Sequence, residues 1–364
     1  MNFFDSPKLK KAMNKILLAF IFYTVAAASF NGFFAKWTFQ DFDERYSFEE
    51  MYAGTAHRPF VHRQLIISIA KTIRSFVPEK TQEKFIAHLE RHNYIADTYK
   101  NSEVSQRYII EYHLVYSISF ICLLCTMFIL RKICLEITDN KFSGILTPCL
   151  FALIFPILET AGGYFYDFSE IFFFTLATFF ALKGCWIALI LIAPIAEYNK
   201  ESFLFFIATL FPLLAAKLGN KKTFFALTTA IFLSGLVYLY VKSLYAGNPG
   251  GSTEIWLYSH LNEIFNGWTK TEITYGVIFG RGMFLPHVLL VAWLIKCTWK
   301  KLSSMWKNHI KIAASINIPL YIIFCWPGEL RNLSLLYISF IAMLSIFIND
   351  LITAKGEDDF GTQG

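Results

Sequence analysis

ILLAFIFYTVAAASFNGFFA, from Ile16 to Ala35, runs for twenty residues without a charge. A helix needs about 20 predominantly apolar residues to cross the hydrocarbon core of a bilayer. Lys8, Lys10, Lys11 and Lys15 precede the run, and the chain turns polar only at Lys36, with no convincing small-residue cleavage site before it. The order of charge then apolar residues is that of a signal sequence, but the length is that of a retained first span.

The rest of the chain repeats this signal. Of 364 residues, 55% are hydrophobic, 18% aromatic and only 16% charged. A soluble domain carries roughly a quarter charged residues. Ten apolar segments stand out, at 15–35, 109–131, 144–161, 168–183, 185–198, 202–217, 223–245, 276–296, 310–326 and 331–349. The fourth to sixth are short, as tilted, broken or re-entrant helices are. The expected fold is all-α: a polytopic transmembrane bundle of about ten spans, forming a single domain over 1–355. Residues 356–364 read as a disordered cytoplasmic tail.

The basic residues orient the bundle. With the N-terminus cytoplasmic, one set of loops holds Arg131, Lys132, Lys141, Lys183, Lys217, Lys221, Lys222, Lys296, Lys300, Lys301, Lys307 and Lys311. The short loops on the other side hold Lys200, Lys270 and Arg331. Excess Lys and Arg mark cytoplasmic loops, so both termini are expected inside. The net charge of +6 is spent on this pattern, and no nucleic-acid partner is implied. The lipid bilayer is the expected partner.

Two external loops remain. In the first, 36–108, Leu65, Ile66, Ile69, Ile73, Phe76 and Val77 fall on one helical face, and Pro78 ends the element. Phe85, Ile86 and Leu89 form the apolar side of a second helix. Both are expected to lie in the membrane interface. The second loop, 246–275, opens on the breaker Gly247-Asn-Pro-Gly-Gly251 and continues into an amphipathic stretch at Ile255–Phe265. The seven cysteines lie in or beside apolar runs, so no disulfide framework is expected; Cys122 and Cys125 form a CxxC on a hydrophobic helix. His88 and His92 have helical spacing, but no third ligand accompanies them, and no metal site is read.

Five polar clusters all fall on the external side: Asp41, Asp43 and Glu44; His57, Arg58, His62 and Arg63; Glu159, Tyr166, Asp167 and Glu170; Glu197, Asn199, Lys200 and Glu201; Glu329 and Arg331. Ionisable groups at membrane segments are costly and by default mark function. Taken singly, each has a plainer reading as a loop start, a headgroup anchor, a helix cap or an ion pair. Their shared side points to one external cavity.

One span, a long external loop with an early acid and two interfacial helices, then a multi-span bundle: this layout resembles the GT-C glycosyltransferase superfamily. Asp43-Glu-Arg-Tyr46, Met51-Tyr-Ala-Gly54 and Arg58-Pro59-Phe60 with Arg63 are similar to the first-loop pattern of small bacterial members. Tyr166-Asp167, Asn199-Lys200-Glu201 and Glu329-Leu330-Arg331 look like their later motifs. The resemblance covers most of the chain through short, degenerate motifs. It implies a transferase of the bacterial inner membrane, acting in surface polysaccharide biosynthesis. The donor would be a sugar on a polyprenyl phosphate, and the acceptor a glycan or lipid outside the cytoplasm. Carried onto these positions, Asp43 is the first candidate base and Asp41 the second. Arg58, Arg63, Lys200 and Arg331 would stabilise the phosphate leaving group, with His57, Asp167, Glu201 and Glu329 supporting them. The cofactor is left open, a divalent cation being compatible. The chain departs from larger members in lacking a soluble C-terminal domain, which leaves acceptor recognition to the loops. A surface-polysaccharide polymerase and a lipid-linked-glycan flippase are the competing classes.

Overall fold

In the computed structural model the described residues are 7–91, 105–252, 254–266 and 270–361. His92 lies outside them. The chain is helical almost throughout: α1 (Pro7–Trp37), α2 (Phe48–Ala53), α3 (Leu65–Phe76), α4 (Glu79–Arg91), α5 (Ile109–Thr138), α6 (Ser143–Leu158), α7 (Phe165–Lys183), α8 (Trp186–Asn199), α9 (Ser202–Thr209), α10 (Phe211–Leu218), α11 (Asn220–Leu244), α12 (Leu257–Asn266), α13 (Leu285–Thr298), α14 (Ser304–Phe324) and α15 (Tyr337–Gly361). A 3-10 stretch, Leu330–Leu336, leads into α15. Strands β1 (Thr271–Thr274) and β2 (Val277–Gly280) form one antiparallel hairpin between α12 and α13.

Among the described residues, five helical stretches are long and apolar enough to cross a membrane: α1, α5, α7, α11 and Leu330–Ala354. Large apolar side chains point outward on them, among them Phe20 on α1 and Phe232 and Leu239 on α11, and likewise Leu290 on the shorter apolar helix α13. Apolar surface on this scale has no place on a protein surrounded by water.

Several expected segments take a different form. Segment 202–217 is two helices, because Pro212 sits in the first turn of α10, where its missing N–H does no harm but cannot continue α9. Segment 276–296 begins as β2 and becomes helical only at Leu285. Both expected helices of the first loop are present as α3 and α4. The face α3 buries is Ile66, Ile67 and Ala70, while Phe76 is exposed. α15 continues into the expected tail as far as Gly361.

The helix ends sort into two sets. At one end, Trp37 donates to Glu159 O (2.8 Å), Tyr112 to Asp41 (2.6 Å) and Asn248 to Gly54 O (2.8 Å). At the other, Lys183 pairs with Glu136, Asn140 bonds Asn349 (2.9 Å) and Lys301 pairs with Asp350 (2.8 Å). The long lysine series of the sequence belongs to this second end, and the five polar clusters to the first.

The hairpin turn is Tyr275-Gly276, both at positive φ (58° and 73°). A two-residue hairpin turn with both central residues left-handed suits the strand twist, yet a tyrosine there costs about 1 kcal/mol or more. Its side chain supplies the compensation. The ring packs on Gly32 of α1, and the hydroxyl donates to Leu153 O of α6 (2.9 Å). Lys36 fastens the other side, bonding Glu272 (2.5 Å) and Glu159 O (2.9 Å). A Cβ on Gly32 would fall 2.3 Å from the Tyr275 ring. Gly32→Val should therefore expel the hairpin, lowering stability by about 1–3 kcal/mol. The expected readout is a lower thermal midpoint in detergent and faster proteolysis between residues 270 and 282. Adding Tyr275→Ala to that variant should cost little more.

Candidate functional site

Residues from four separate stretches meet at the first end of the bundle. Arg63 follows the 3-10 turn Phe60–His62. Tyr164, Tyr166, Asp167 and Glu170 surround the start of α7. Lys200 and Glu201 occupy the tight link between α8 and α9. Glu329 and Arg331 follow the turn Trp326-Pro327-Gly328, which ends α14. Asp167 also holds its own helix in place: its carboxylate accepts the backbone N–H of Tyr164 (2.9 Å), as an acid in a first turn does well.

These groups form one ion-paired network. The Arg63 guanidinium grips Glu201 with two nitrogens (Nη2–Oε1 2.6 Å, Nε–Oε2 3.2 Å) and donates its third to the Tyr166 hydroxyl. Lys200 bridges Asp167 (2.8 Å) and Glu170 (2.7 Å). Glu170 also accepts from Ser202 and from Ser334 (2.9 Å). Arg331 is held by Glu329 (Nε–Oε1 2.9 Å), whose other oxygen accepts from Asn332 (2.7 Å). Nη1 of Arg331 is buried without a hydrogen bond, 3.7 Å from Asp167. Glu159 is buried nearby with Oε2 unbonded. Asn199 fixes the geometry from behind, accepting from Ser169 (2.5 Å) and donating to Tyr166 O (3.2 Å).

In the two arginine pairs the cation lies underneath and the carboxylate faces outward, while Lys200 is buried together with Asp167 and Glu170. Side-chain exposure is 8% for Arg63 against 31% for Glu201, and 5% for Arg331 against 14% for Glu329. Beside them stands an aromatic wall. Tyr164 stacks on Tyr166 (5.0 Å, 9°), Phe60 and Tyr46 pack on Tyr164 (5.4 and 5.6 Å), and Arg331 lies over the Tyr164 ring (4.5 Å). Fixed carboxylates that accept hydrogen bonds, beside aromatic faces that cover C–H surface, suit a polyhydroxylated ligand.

Charge states follow from these neighbours. Burial opposes the charge on Glu201, but the Arg63 fork outweighs it and pulls the carboxyl down to about 2. Burial likewise works against Lys200, and Asp167 with Glu170 more than restores its charge, holding it above the ordinary range.

Of the residues singled out in the sequence, Arg63, Tyr166, Asp167, Glu170, Asn199, Lys200, Glu201, Glu329 and Arg331 are brought together. Asp43 adjoins them through Tyr46, but its carboxylate is gripped by exposed Arg45 (2.6 Å), which holds it well below the usual range. Asp41 faces the other way, toward Tyr112 on α5. Burial pushes its carboxyl up to about 6, against the Tyr112 hydrogen bond. Arg58 does not join the network. It clamps the second loop, with its N–H on Pro249 O (2.9 Å) and Nη2 on Gly250 O (2.6 Å). Gly250 (φ 82°) allows this approach, since a Cβ would meet Arg58 O at 2.8 Å. His57 is tied by its backbone to Arg45 O (2.8 Å). Among the described residues, no three of His, Cys, Asp and Glu converge as metal ligands would.

Sequence reasoning passed over Tyr164, Ser202 and Ser334, neutral residues whose only signal was lying within three positions of a charged motif. It also passed over Glu111, a lone acid in an apolar run, fully buried against Arg74 and Tyr52 (2.7 Å). Comparison with known proteins yields no match: no family model, no curated protein and no solved structure corresponds to this chain.

Removing one member of a buried ion pair leaves the other uncompensated, at about 3–5 kcal/mol. Arg63→Ala is therefore expected to destabilise by roughly 3 kcal/mol, and Arg63→Ala with Glu201→Ala by less than the sum of the singles. Thermal or denaturant unfolding of the four proteins in detergent measures this coupling.

Proposed function

We propose that this chain is a membrane glycosyltransferase, moving a sugar from a polyprenyl-phosphate carrier to a hydroxyl of a glycan or lipid acceptor at the outer face of a bacterial inner membrane. One observation carries the assignment: a buried guanidinium of the charged network, Arg331, has an unbonded donor at Nη1 and follows directly on Leu330, which lines an apolar crevice. The crevice, of about 590 Å³, is lined by Leu330, Tyr337, Ile157, Phe279, Val288 and Ile322. It suits an isoprenoid chain, with the phosphate reaching Arg331 and the sugar lying against Tyr164, Phe60 and Tyr46 beside Glu201 and Glu329. Ten crossings are part of the same reading: α1, α5, α6, α7, α8, α9 with α10, α11, α13, α14 and α15, with the lysine-rich end cytoplasmic.

In the transfer, the acceptor oxygen bonds to the anomeric carbon as the bond from that carbon to the phosphate oxygen breaks. The electron pair leaves on the phosphate, where Arg331 and Lys200 stabilise it. The acceptor proton passes to a carboxylate. Asp43 is the nearer candidate, because Tyr46 links it to the aromatic wall, and its pair with exposed Arg45 is weak and easily opened. Asp41 has the better-matched proton affinity but faces α5.

A flippase is less well supported, since transporter sites lie near the bilayer midplane and this network lies at one end. The test is transfer by purified protein from a polyprenyl-phosphate sugar to a glycan acceptor. Asp43→Asn should lower the rate by at least about a hundredfold. With Asp43 as base, whose carboxyl is held low, the rate should stay flat on acidification from pH 8 to 5. If Asp41 is the base, it should fall about tenfold per pH unit below about 6. Single addition marks a transferase and a ladder of repeats a polymerase; full activity in both Asp→Asn variants would remove the base assignment.

A further inference from the structure

The opposite end of the bundle carries a second cavity. α10, the first residue of α11 and the first turns of α14 enclose an open groove of about 590 Å³. One wall is apolar, with Phe211 and Pro212 at its inner edge. These residues start α10, about 9 Å along the axis from Lys217 near its end. The other wall is polar. Ser304, Asn308 and Lys311 lie at helical spacing on one face of α14, and Asn220 opens α11 opposite them.

Two observations give this groove a chemistry. Among the described residues, none of these four polar side chains makes a hydrogen bond or ion pair with the protein, so their donors remain free for a ligand. The chain around the groove is also one-signed. Residues 202–253 and 282–328 contain nine lysines and not one Asp or Glu. Eight of the nine, all but Lys242, belong to this end of the bundle. Among the described residues, Lys301 is the one of the nine in an ion pair, with Asp350 of α15. A cavity with an unpaired lysine, neutral hydrogen-bond donors, a predominantly positive surround and an apolar inner wall is complementary to an anion that carries a hydrocarbon chain.

We propose that this groove binds the phosphate headgroup of an anionic phospholipid, with Lys311, Ser304, Asn308 and Asn220 around the phosphate and an acyl chain along Phe211 and Pro212. The amides of the first turn of α14, which have no intrahelical partners, add donors on the same rim. The site is independent of the sugar-transfer chemistry proposed for the other end, and either can fail without the other.

The test uses the full-length protein in detergent micelles, titrated with phosphatidylglycerol, phosphatidylcholine or inorganic phosphate and followed by thermal midpoint. Phosphatidylglycerol should raise the midpoint of the wild type well above phosphatidylcholine at equal mole fraction. Lys311→Gln should weaken its apparent affinity about fivefold, the share of one basic residue at a membrane surface. Adding Asn308→Leu should weaken it further, Lys311→Arg should retain it, and Lys242→Gln at the far end should leave it unchanged. Equal response of wild type and Lys311→Gln, or equal response to both lipids, overturns the site. Inorganic phosphate that shifts the midpoint as far and displaces the lipid overturns the lipid source and assigns the groove to a soluble phosphate compound.

Discussion

A guanidinium removed from water must keep a carboxylate in contact, and Arg63 with Glu201 sets that condition for this protein. The pair joins the first loop to the α8–α9 link, residues 138 positions apart in the chain. Through Tyr166 it reaches α7, and there Lys200 and Arg331 continue the chain of charges to Asp167, Glu170 and Glu329. Each ion is stable only because its neighbours stay where they are. The first loop, the start of α7, the α8–α9 link and the turn after α14 are thereby held as one unit. The network rigidifies the end of the bundle that the aromatic wall and the apolar crevice also share.

That rigidity would serve the proposed transfer. Cations that are buried and already hydrogen-bonded need little reorganisation when negative charge develops beside them. Exposing Glu201 and Glu329 while covering Arg63 and Arg331 turns hydrogen-bond acceptors toward a ligand and keeps positive charge beneath them. Under the proposed function, the unbonded Nη1 of Arg331 would take the anionic head of an amphiphile whose apolar tail follows the crevice that begins at the neighbouring Leu330.

The two ends of the bundle differ in their charges. Acids and cations interlock at the first end; lysines outnumber acids around the groove at the other. The same bias that orients a chain during insertion leaves a surface able to hold anionic headgroups. Structural support is built separately at each end: Glu111 with Arg74 and Tyr52 ties α3 to α5, and Lys36 with Glu272 and Tyr275 on Gly32 seat the hairpin.

The amino-acid sequence by itself determined the membrane class, the apolar segments and the separation of the lysines from the polar clusters. These are local properties: apolar length and loop charge are read along the chain without knowing what touches what. It also marked the seven charged residues that meet in the network, because a charge beside an apolar run is expensive wherever it points. Only the tertiary structure decided which charges meet. Arg58, one turn of chain from Arg63, clamps the second loop instead of joining the network, and Asp41, two residues from Asp43, faces Tyr112 instead of the aromatic wall. Neighbours in sequence point apart here because a 3-10 turn and a loop reverse direction within a few residues. Partners such as Arg63 and Glu201 are joined by packing that no local pattern encodes. The hairpin belongs to the same class, since its tyrosine tolerates a left-handed turn only where Gly32, far earlier in the chain, leaves room for the ring.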